Sequence, residues 1–126
     1  MNCPADGESG CGTEVDGTAE VSVYQAVGAV IVQVSGEIDL VNVATLRAAL
    51  DAAVVSGSRR VLVDLAAVSF LDVTAARALV AAAATITRDD RRQFTVLNPS
   101  DLALRVLTAT GLDQLVSISR CQPDGP

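Results

Sequence analysis

The sequence predicts one α/β domain with a mixed β-sheet, and the order of its strand-like and helical segments indicates this fold class.

 The predicted architecture is a mixed β-sheet of four to five strands, with an opening hairpin followed by parallel crossovers, and about three to four helices packed on it. Two β-branched segments come first, and after about residue 42 segments of helical period alternate with strand-like segments. Strands that are separated by helices pair in parallel through right-handed crossovers.

Composition divides the chain into one folded domain and two tails. Half of the 126 residues are hydrophobic (50%), which is enough for one core. Residues 1–19 are rich in glycine and acidic side chains, so we expect them to be disordered. Residues 120–126 are expected to form a second disordered tail. The folded domain is therefore predicted to span residues 20–119.

The first two strands are expected to form a hairpin. Residues 21–26 alternate between apolar and polar side chains, as in an exposed or edge strand. Residues 29–35 form a β-branched run that is typical of a buried strand. Val27 and Gly28 lie between them and supply the turn.

A helical period begins after Asn42 and ends at Gly57, a residue type that commonly terminates helices. The apolar side chains of this first helix share one face, and they are Val43, Leu46, Leu50, Ala53 and Val54. Residues 60–65 follow as the third strand. Their nearly continuous apolar run favours burial on both faces of the sheet.

The second half of the domain repeats the alternation. A helix is expected from about Ala75 to Thr87, and residues 93–97 form the fourth strand. Ser100 is predicted to cap a helix over residues 101–109, which Gly111 ends. Residues 115–118 are either a short last strand or a final helical turn.

Charge and aromatic content exclude several kinds of ligand. The net charge of -6 arises at the two ends of the sequence, in residues 1–20 and 121–126, because residues 21–120 contain nine acidic residues and nine arginines. With one Tyr and two Phe, this neutral body offers nucleic acid neither electrostatic attraction nor stacking. No apolar run approaches the roughly 18 residues of a membrane span, and no secretion signal is present. We therefore expect a cytoplasmic protein that binds neither nucleic acid nor membrane.

Cysteine and histidine usage argues against a metal site or a cofactor. The chain has no histidine, and Cys3, Cys11 and Cys121 lie in the tails at spacings that match no metal-binding pair. These thiols are either free in a reducing cytosol or partly joined in a disulfide between the tails. The chain also lacks lysine and a glycine-rich phosphate loop, which disfavours a nucleotide-hydrolysing enzyme. No catalytic residue is predicted.

The most informative stretch is Phe70-Leu-Asp-Val-Thr-Ala-Ala76, called the seam below, which joins a strand-like run to a helix. Backbone N–H groups at a helix start are unpaired, so they suit a capping oxygen or a phosphate. Thr74 is therefore either a phosphoacceptor or a plain N-cap. Asp72 either positions that hydroxyl or caps the same helix itself.

Four motifs resemble the STAS domain family over about residues 20–119, and the small bacterial anti-sigma factor antagonists are the nearest class. The motifs are Gly36-Glu-Ile-Asp39, Val63-Asp-Leu65, Phe70-Leu-Asp-Val-Thr-Ala75 and Ala109-Thr-Gly-Leu-Asp113. In that class the common seam is Asp-Ser-Ser-Gly, and a partner that is both anti-sigma factor and serine/threonine kinase phosphorylates its second hydroxyl residue. By position, Asp72 matches the Asp, Val73 the first Ser, Thr74 the phosphoacceptor and Ala75 the Gly.

The resemblance implies a partner switch and no enzymatic activity. The unmodified protein would bind the anti-sigma factor and release a sigma factor, and a phosphate on Thr74 would break that complex. The residues implied in partner binding are Glu37, Asp39, Asp72, Val73, Thr74, Ala75, Arg77, Asn98 and Ser100.

Three of these residues have a structural alternative. Glu37 and Asp39 either contact the partner or turn the chain toward the first helix. Arg77 either pairs with the phosphate or is a solvated residue of the first helical turn. A second hypothesis for the whole chain is a phosphorylation-independent STAS scaffold, such as a subunit of a lipid-transport complex. In either case we expect a monomer or weak dimer.

Overall fold

The computed structural model describes residues 12–16 and 19–119. These residues form six strands, three α-helices and one 3-10 turn at Leu112–Gln114. The strands, numbered β1 to β6, are Gly12–Asp16, Ala19–Ala26, Ala29–Ile38, Arg60–Leu71, Gln93–Leu97 and Ser117–Ser119. The helices, numbered α1 to α3, are Val43–Ser56, Val73–Thr87 and Asp101–Ala109.

The six strands form one mixed sheet in the order β1-β2-β3-β4-β5-β6. The pairs β1–β2 and β2–β3 are antiparallel, whereas β3–β4, β4–β5 and β5–β6 are parallel. Gly28 turns the hairpin between β2 and β3 with a φ of 74°, a left-handed conformation that glycine adopts without a steric cost. The predicted fold class, a mixed sheet that opens with a hairpin, is confirmed.

The hydrophobic core lies between the sheet and the helices. One side of the sheet presents fully buried side chains from its central strands, namely Val30, Val32, Val34, Val61, Val63 and Leu65. Leu62 points to the other side and is only half-buried. The prediction that this strand is covered on both faces is therefore wrong. The three helices connect parallel strands in the order β3, β4, β5 and β6. Crossovers of the same handedness that advance in one direction place their helices on one face of the sheet.

The first and third helices lie close to their predicted positions. Val43, Leu46, Leu50 and Ala53 of α1 are buried as expected, and Gly57 ends the helix with a φ of 73°. The Ser100 hydroxyl accepts a hydrogen bond of 3.1 Å from the Ala103 amide, which confirms Ser100 as the cap of α3. Of the two alternatives for residues 115–118, the structure has the short strand, β6 at Ser117–Ser119, and the 3-10 turn precedes this segment.

Strand β1 was not predicted, because the N-terminal tail was expected to be disordered. It lies within the segment expected to be disordered, and it pairs with β2 from Gly12 opposite Val23 to Asp16 opposite Ala19. Strand pairing joins backbone groups, so an edge strand can form in a stretch whose composition offers little apolar surface. The sheet therefore has one strand more than predicted. The rest of the predicted tails, with Cys3, Cys11 and Cys121, lies outside the described residues.

Strand β4 extends to Leu71, well beyond the predicted end at Leu65. Its register against β3 shifts twice, between Gln33 and Ser35 and again after Gly36. At each shift β4 carries an extra residue, as in a β-bulge, and Val68 stays in the core between the shifts. Two pairs of consecutive side chains are exposed there, Ala66 with Ala67 and Ser69 with Phe70. This extension carries the chain to the seam.

Candidate functional site

The seam at the end of β4 and the loop after β3 meet where β3 and β4, two parallel strands, end. Ile38 is opposite Leu71 in the sheet register. Just beyond this pair, the Asp72 amide donates a hydrogen bond of 3.1 Å to the Ile38 carbonyl oxygen. We call this border of the sheet, where β3, β4 and β5 end, the carboxyl edge. In α/β sheets such edges commonly hold binding sites.

Asp72 is the N-cap of α2. Its backbone is extended, and its Oδ1 accepts a hydrogen bond of 3.0 Å from the Ala75 amide. The helix begins at Val73, two positions before the predicted start. Of the two interpretations of Asp72 and Thr74, the structure therefore selects capping by Asp72, and Thr74 is not the N-cap.

Thr74 is the second residue of α2, and its side chain is half-buried. Within the described part of the chain, its hydroxyl makes no side-chain hydrogen bond, whereas the hydroxyls of Thr85 and Thr87 each bond a carbonyl oxygen one turn earlier. The N-terminus of a helix carries a partial positive charge that favours an anion. The seam thus presents a hydroxyl that no capping role occupies.

The other predicted site residues around Thr74 differ in exposure. Val73 is 46% exposed and Arg77 is exposed, three residues after Thr74 and thus near it on the helix surface. Ala75 is 0% exposed, and its amide bonds Asp72. The prediction of a partner contact through Ala75 does not hold for its side chain, because that side chain faces the core.

The loop between β3 and α1 is fixed by hydrogen bonds of Asp39 and Asn42. Asp39 Oδ1 accepts a hydrogen bond of 3.0 Å from the Val41 amide, and the Asp39 amide donates a hydrogen bond of 2.9 Å to Asn42 Oδ1. Asn42 Nδ2 also donates 2.9 Å to the Glu37 carbonyl oxygen. The structural alternative for Asp39, turning the chain toward the first helix, is therefore realised, while the Glu37 side chain is exposed.

Asn42 belongs to the candidate site through its hydrogen bonds, and the sequence analysis did not single it out. Only 5% of it is exposed, and its amide bonds two backbone groups of the preceding loop. An Asn immediately before a helical period is a recognisable signal, since Asn is favoured at caps and turns. Here it acts as a brace that holds the loop and not as a side-chain cap of α1.

Asn98 and Ser100 lie further back on the carboxyl edge. Strand β5 ends with Leu97 opposite Asp64, seven positions before Leu71, or about 20 Å along a regular strand. Asn98 has a φ of 57°, and its amide donates 2.7 Å to the Ser119 carbonyl oxygen. Ser100 is engaged as the α3 cap, and both residues lie apart from the seam.

Two surface depressions lie apart from the seam. One has a volume of about 370 Å³ and the other about 190 Å³, and neither is lined by a predicted site residue. The larger is bounded by the end of α2, the start of β5 and residues 114–117, and the smaller lies between α1 and α2. Among the described residues, no group of three or more metal-binding side chains is assembled, and no helix is long and apolar enough to span a membrane.

Comparison with known proteins decides the family. The sequence matches the STAS domain over residues 20–123. The chain belongs to the STAS domain family. This confirms the resemblance inferred from the motifs, including the seam and the Gly36-Glu-Ile-Asp39 loop. No curated protein matches the chain significantly.

Solved structures of anti-sigma factor antagonists share the fold of this STAS domain. The antagonist from Mycobacterium paratuberculosis is 30% identical, with a TM-score of 0.72 over 84% of this chain and 89% of that one. SpoIIAA in its unphosphorylated form is 18% identical, with a TM-score of 0.67 over 82% and 90% of the two chains. Phosphorylated SpoIIAA of Bacillus is also 18% identical, with a TM-score of 0.64 over 82% and 93%.

Proposed function

We propose that this STAS domain is an anti-sigma factor antagonist, which binds an anti-sigma factor of the serine/threonine kinase type and thereby releases a sigma factor. The observation that carries the proposal is the likeness to the antagonist from Mycobacterium paratuberculosis, at 30% identity over 84% of the chain. The proposed activity is binding, without catalysis by this chain.

The docking surface in this proposal is the carboxyl edge. The β3–α1 loop and the seam are joined there by the bond from Asp72 to Ile38, so a partner would meet both together. The exposed side chains here are Glu37 near the end of β3, Val73 in the seam and Arg77 directly after it. Ordered loops bind with a smaller entropic cost than mobile ones, and the bonds of Asp39 and Asn42 supply that order.

Phosphorylation of Thr74 is the proposed off-switch. The kinase would transfer the γ-phosphoryl group of ATP to Thr74 Oγ1, with ADP as the leaving group and the hydroxyl proton passing to a base of the kinase. The phosphate would add about -1.5 to -2 charges beside Asp72, which opposes docking through repulsion and desolvation. In the free protein the start of α2 tolerates the anion, and Arg77 lies close enough along the helix to pair with it.

Mass spectrometry of purified components tests the switch. The protein is incubated with Mg-ATP and each kinase-type anti-sigma factor of the same genome, and its intact mass is then measured. We expect the mass of one phosphate to be added to the wild type and to Thr85→Ala, but not to Thr74→Ala. Thr85 is a matched control because it is an exposed threonine of the same helix.

Binding and phosphorylation can fail separately. If an anti-sigma factor binds but transfers no phosphate, the antagonist role stands and the Thr74 switch is wrong. If no anti-sigma factor of the genome binds the protein, the antagonist role itself is wrong. The phosphorylation-independent scaffold would then be the better hypothesis.

A further inference from the structure

Exposed large hydrophobic side chains concentrate at the carboxyl edge. Four of them, Leu40, Val41, Phe70 and Val73, lie at the adjoining ends of β3 and β4, and we call them the apolar cluster. Leu40 is 71% exposed and Val41 is 85% exposed. The segments that carry the cluster adjoin in the sheet, because Glu37 is opposite Phe70 and Ile38 is opposite Leu71. Neighbouring exposed apolar side chains mark interaction surfaces more often than scattered ones.

Polar contacts fix the backbone segments that carry Leu40, Val41 and Val73 of the apolar cluster. Val41 donates its amide to Asp39 Oδ1, and buried Asn42 fixes the same loop from the other side. Val73 is anchored as the first residue of α2 by the Asp72 cap. Because these backbones are fixed, the exposed side chains cannot withdraw into the core without breaking the loop or the cap. A partner would therefore find them already arranged.

Charge is distributed unevenly although the folded body is neutral overall. Three acidic residues, Glu37, Asp39 and Asp72, lie on the segments that carry the apolar cluster, and Arg77, which directly follows the seam, is the basic residue there. At the opposite border, around the start of β4 and between α2 and β5, the five arginines outnumber Asp89 and Asp90; they are Arg59, Arg60, Arg88, Arg91 and Arg92. A partner with basic side chains would thus be attracted to the carboxyl edge and repelled from the opposite border.

We propose that the anti-sigma factor binds the apolar cluster through a surface that is apolar at its centre and basic at its rim. This inference rests on the proposed function and adds the chemistry of the partner. Val73 then contributes apolar contact at the position where the family commonly has a hydroxyl. Affinity comes mainly from the burial of the cluster, and the acidic rim accelerates encounter.

Matched valine variants test the apolar centre. Binding of the anti-sigma factor to immobilised protein is measured for Val41→Ser, Val73→Ser and Val55→Ser. Val55 is 83% exposed, close to the 85% of Val41, but it lies at the end of α1 near the opposite border. We expect Val41→Ser and Val73→Ser to weaken binding by about tenfold or more, since a buried valine contributes that much, and Val55→Ser to bind like the wild type.

The same measurements at several salt concentrations test the rim. Glu37→Gln is expected to lower the association rate and its salt dependence, while the dissociation rate changes little. Arg88→Gln, an exposed charge change at the opposite border, is expected to leave the association rate unchanged or raise it slightly. Thermal unfolding of each variant checks that the fold is kept, which is expected because the replaced side chains are exposed.

The outcomes separate this inference from the proposed function. If the wild type binds an anti-sigma factor and both Val41→Ser and Val73→Ser bind within twofold of it, the apolar centre is wrong and the antagonist role stands. Tighter binding by Val73→Ser would also overturn the inference, because it would show that the partner prefers a hydroxyl there. Absence of any binding by the wild type overturns both proposals.

Discussion

At the scale of single residues, the structure shows which of Asp72 and Thr74 caps α2, a question that the sequence pattern leaves open. Both side chains can cap a helix, and they are two positions apart. The extended backbone of Asp72 lets its carboxylate reach the Ala75 amide at 3.0 Å, so the helix is capped two residues before Thr74. Structural support and a modifiable hydroxyl are thus placed on different residues of the seam.

The division of tasks predicts unequal effects on stability. Asp72→Ala removes the cap of α2 and should lower the free energy of unfolding by about 1 kcal/mol. Thr74→Ala removes a hydroxyl without a side-chain hydrogen bond in the described structure and should change it by less than about 0.5 kcal/mol. Urea unfolding followed by circular dichroism measures both, and Asp72→Asn, which keeps an acceptor oxygen, is the control. A larger loss for Thr74→Ala than for Asp72→Ala would contradict the assignment of the cap.

At the scale of elements, the regular parts of the fold are predictable and the irregular parts are not. Helix α3 was predictable in full, because a cap residue, an apolar period and a terminal glycine agree at Ser100 and Gly111. The second half of β4 was not, since its two register shifts leave buried residues at every third position, Leu65, Val68 and Leu71, and remove the alternation that identifies a strand. Strand β1 was missed because backbone pairing leaves no apolar signature.

Arg92 connects the end of α1 to the segment before β5, although its mixed-charge sequence context predicts only a solvated side chain. Its guanidinium donates to the carbonyl oxygens of Ala53 and Val54 at the end of α1, each at 3.2 Å, and to Ser58 at 2.9 Å. The last carbonyl groups of a helix lack partners within it, and they lie at the negative end of its dipole. Arg92 therefore satisfies the end of α1 from the segment that leads into β5.

Replacing Arg92 should destabilise the domain even when the charge is kept. A lysine cannot supply three donors in the planar geometry of a guanidinium, so Arg92→Lys should lower the free energy of unfolding by about 1 to 2 kcal/mol. Arg91→Lys is the matched control. The side chain of Arg91, next to Arg92 in the sequence, is exposed, so this variant should have almost no effect. Equal unfolding midpoints of the two variants in urea would show that the three hydrogen bonds contribute little.

At the scale of the whole molecule, the sequence analysis predicted the composition of the site better than its arrangement. The seam and the Gly36-Glu-Ile-Asp39 loop are brought together as parallel strand ends must be. The segregation of charge was missed, because a neutral total says nothing about which border of the sheet each residue occupies. Asn98 and Ser100 lie further from the seam than expected because β5 ends opposite Asp64, and strand register is not visible in a single sequence.

The layered architecture predicts how protection from hydrogen exchange varies across the sheet. Backbone amides in the centre of β3 and β4, such as those of Val32 and Val63, are bordered by strands on both sides and lie under fully buried side chains, so they should exchange only on global unfolding. Amides of the short edge strand β6 and of Gly12–Asp16 should exchange by local opening, at least about tenfold faster. Exchange followed by NMR at neutral pH measures these rates, with the exposed turn at Val27 as the reference for unprotected amides. Edge-strand amides as slow as that of Val63 would show instead that the sheet opens only as one unit, and that its edges are held by contacts as strong as those of its centre.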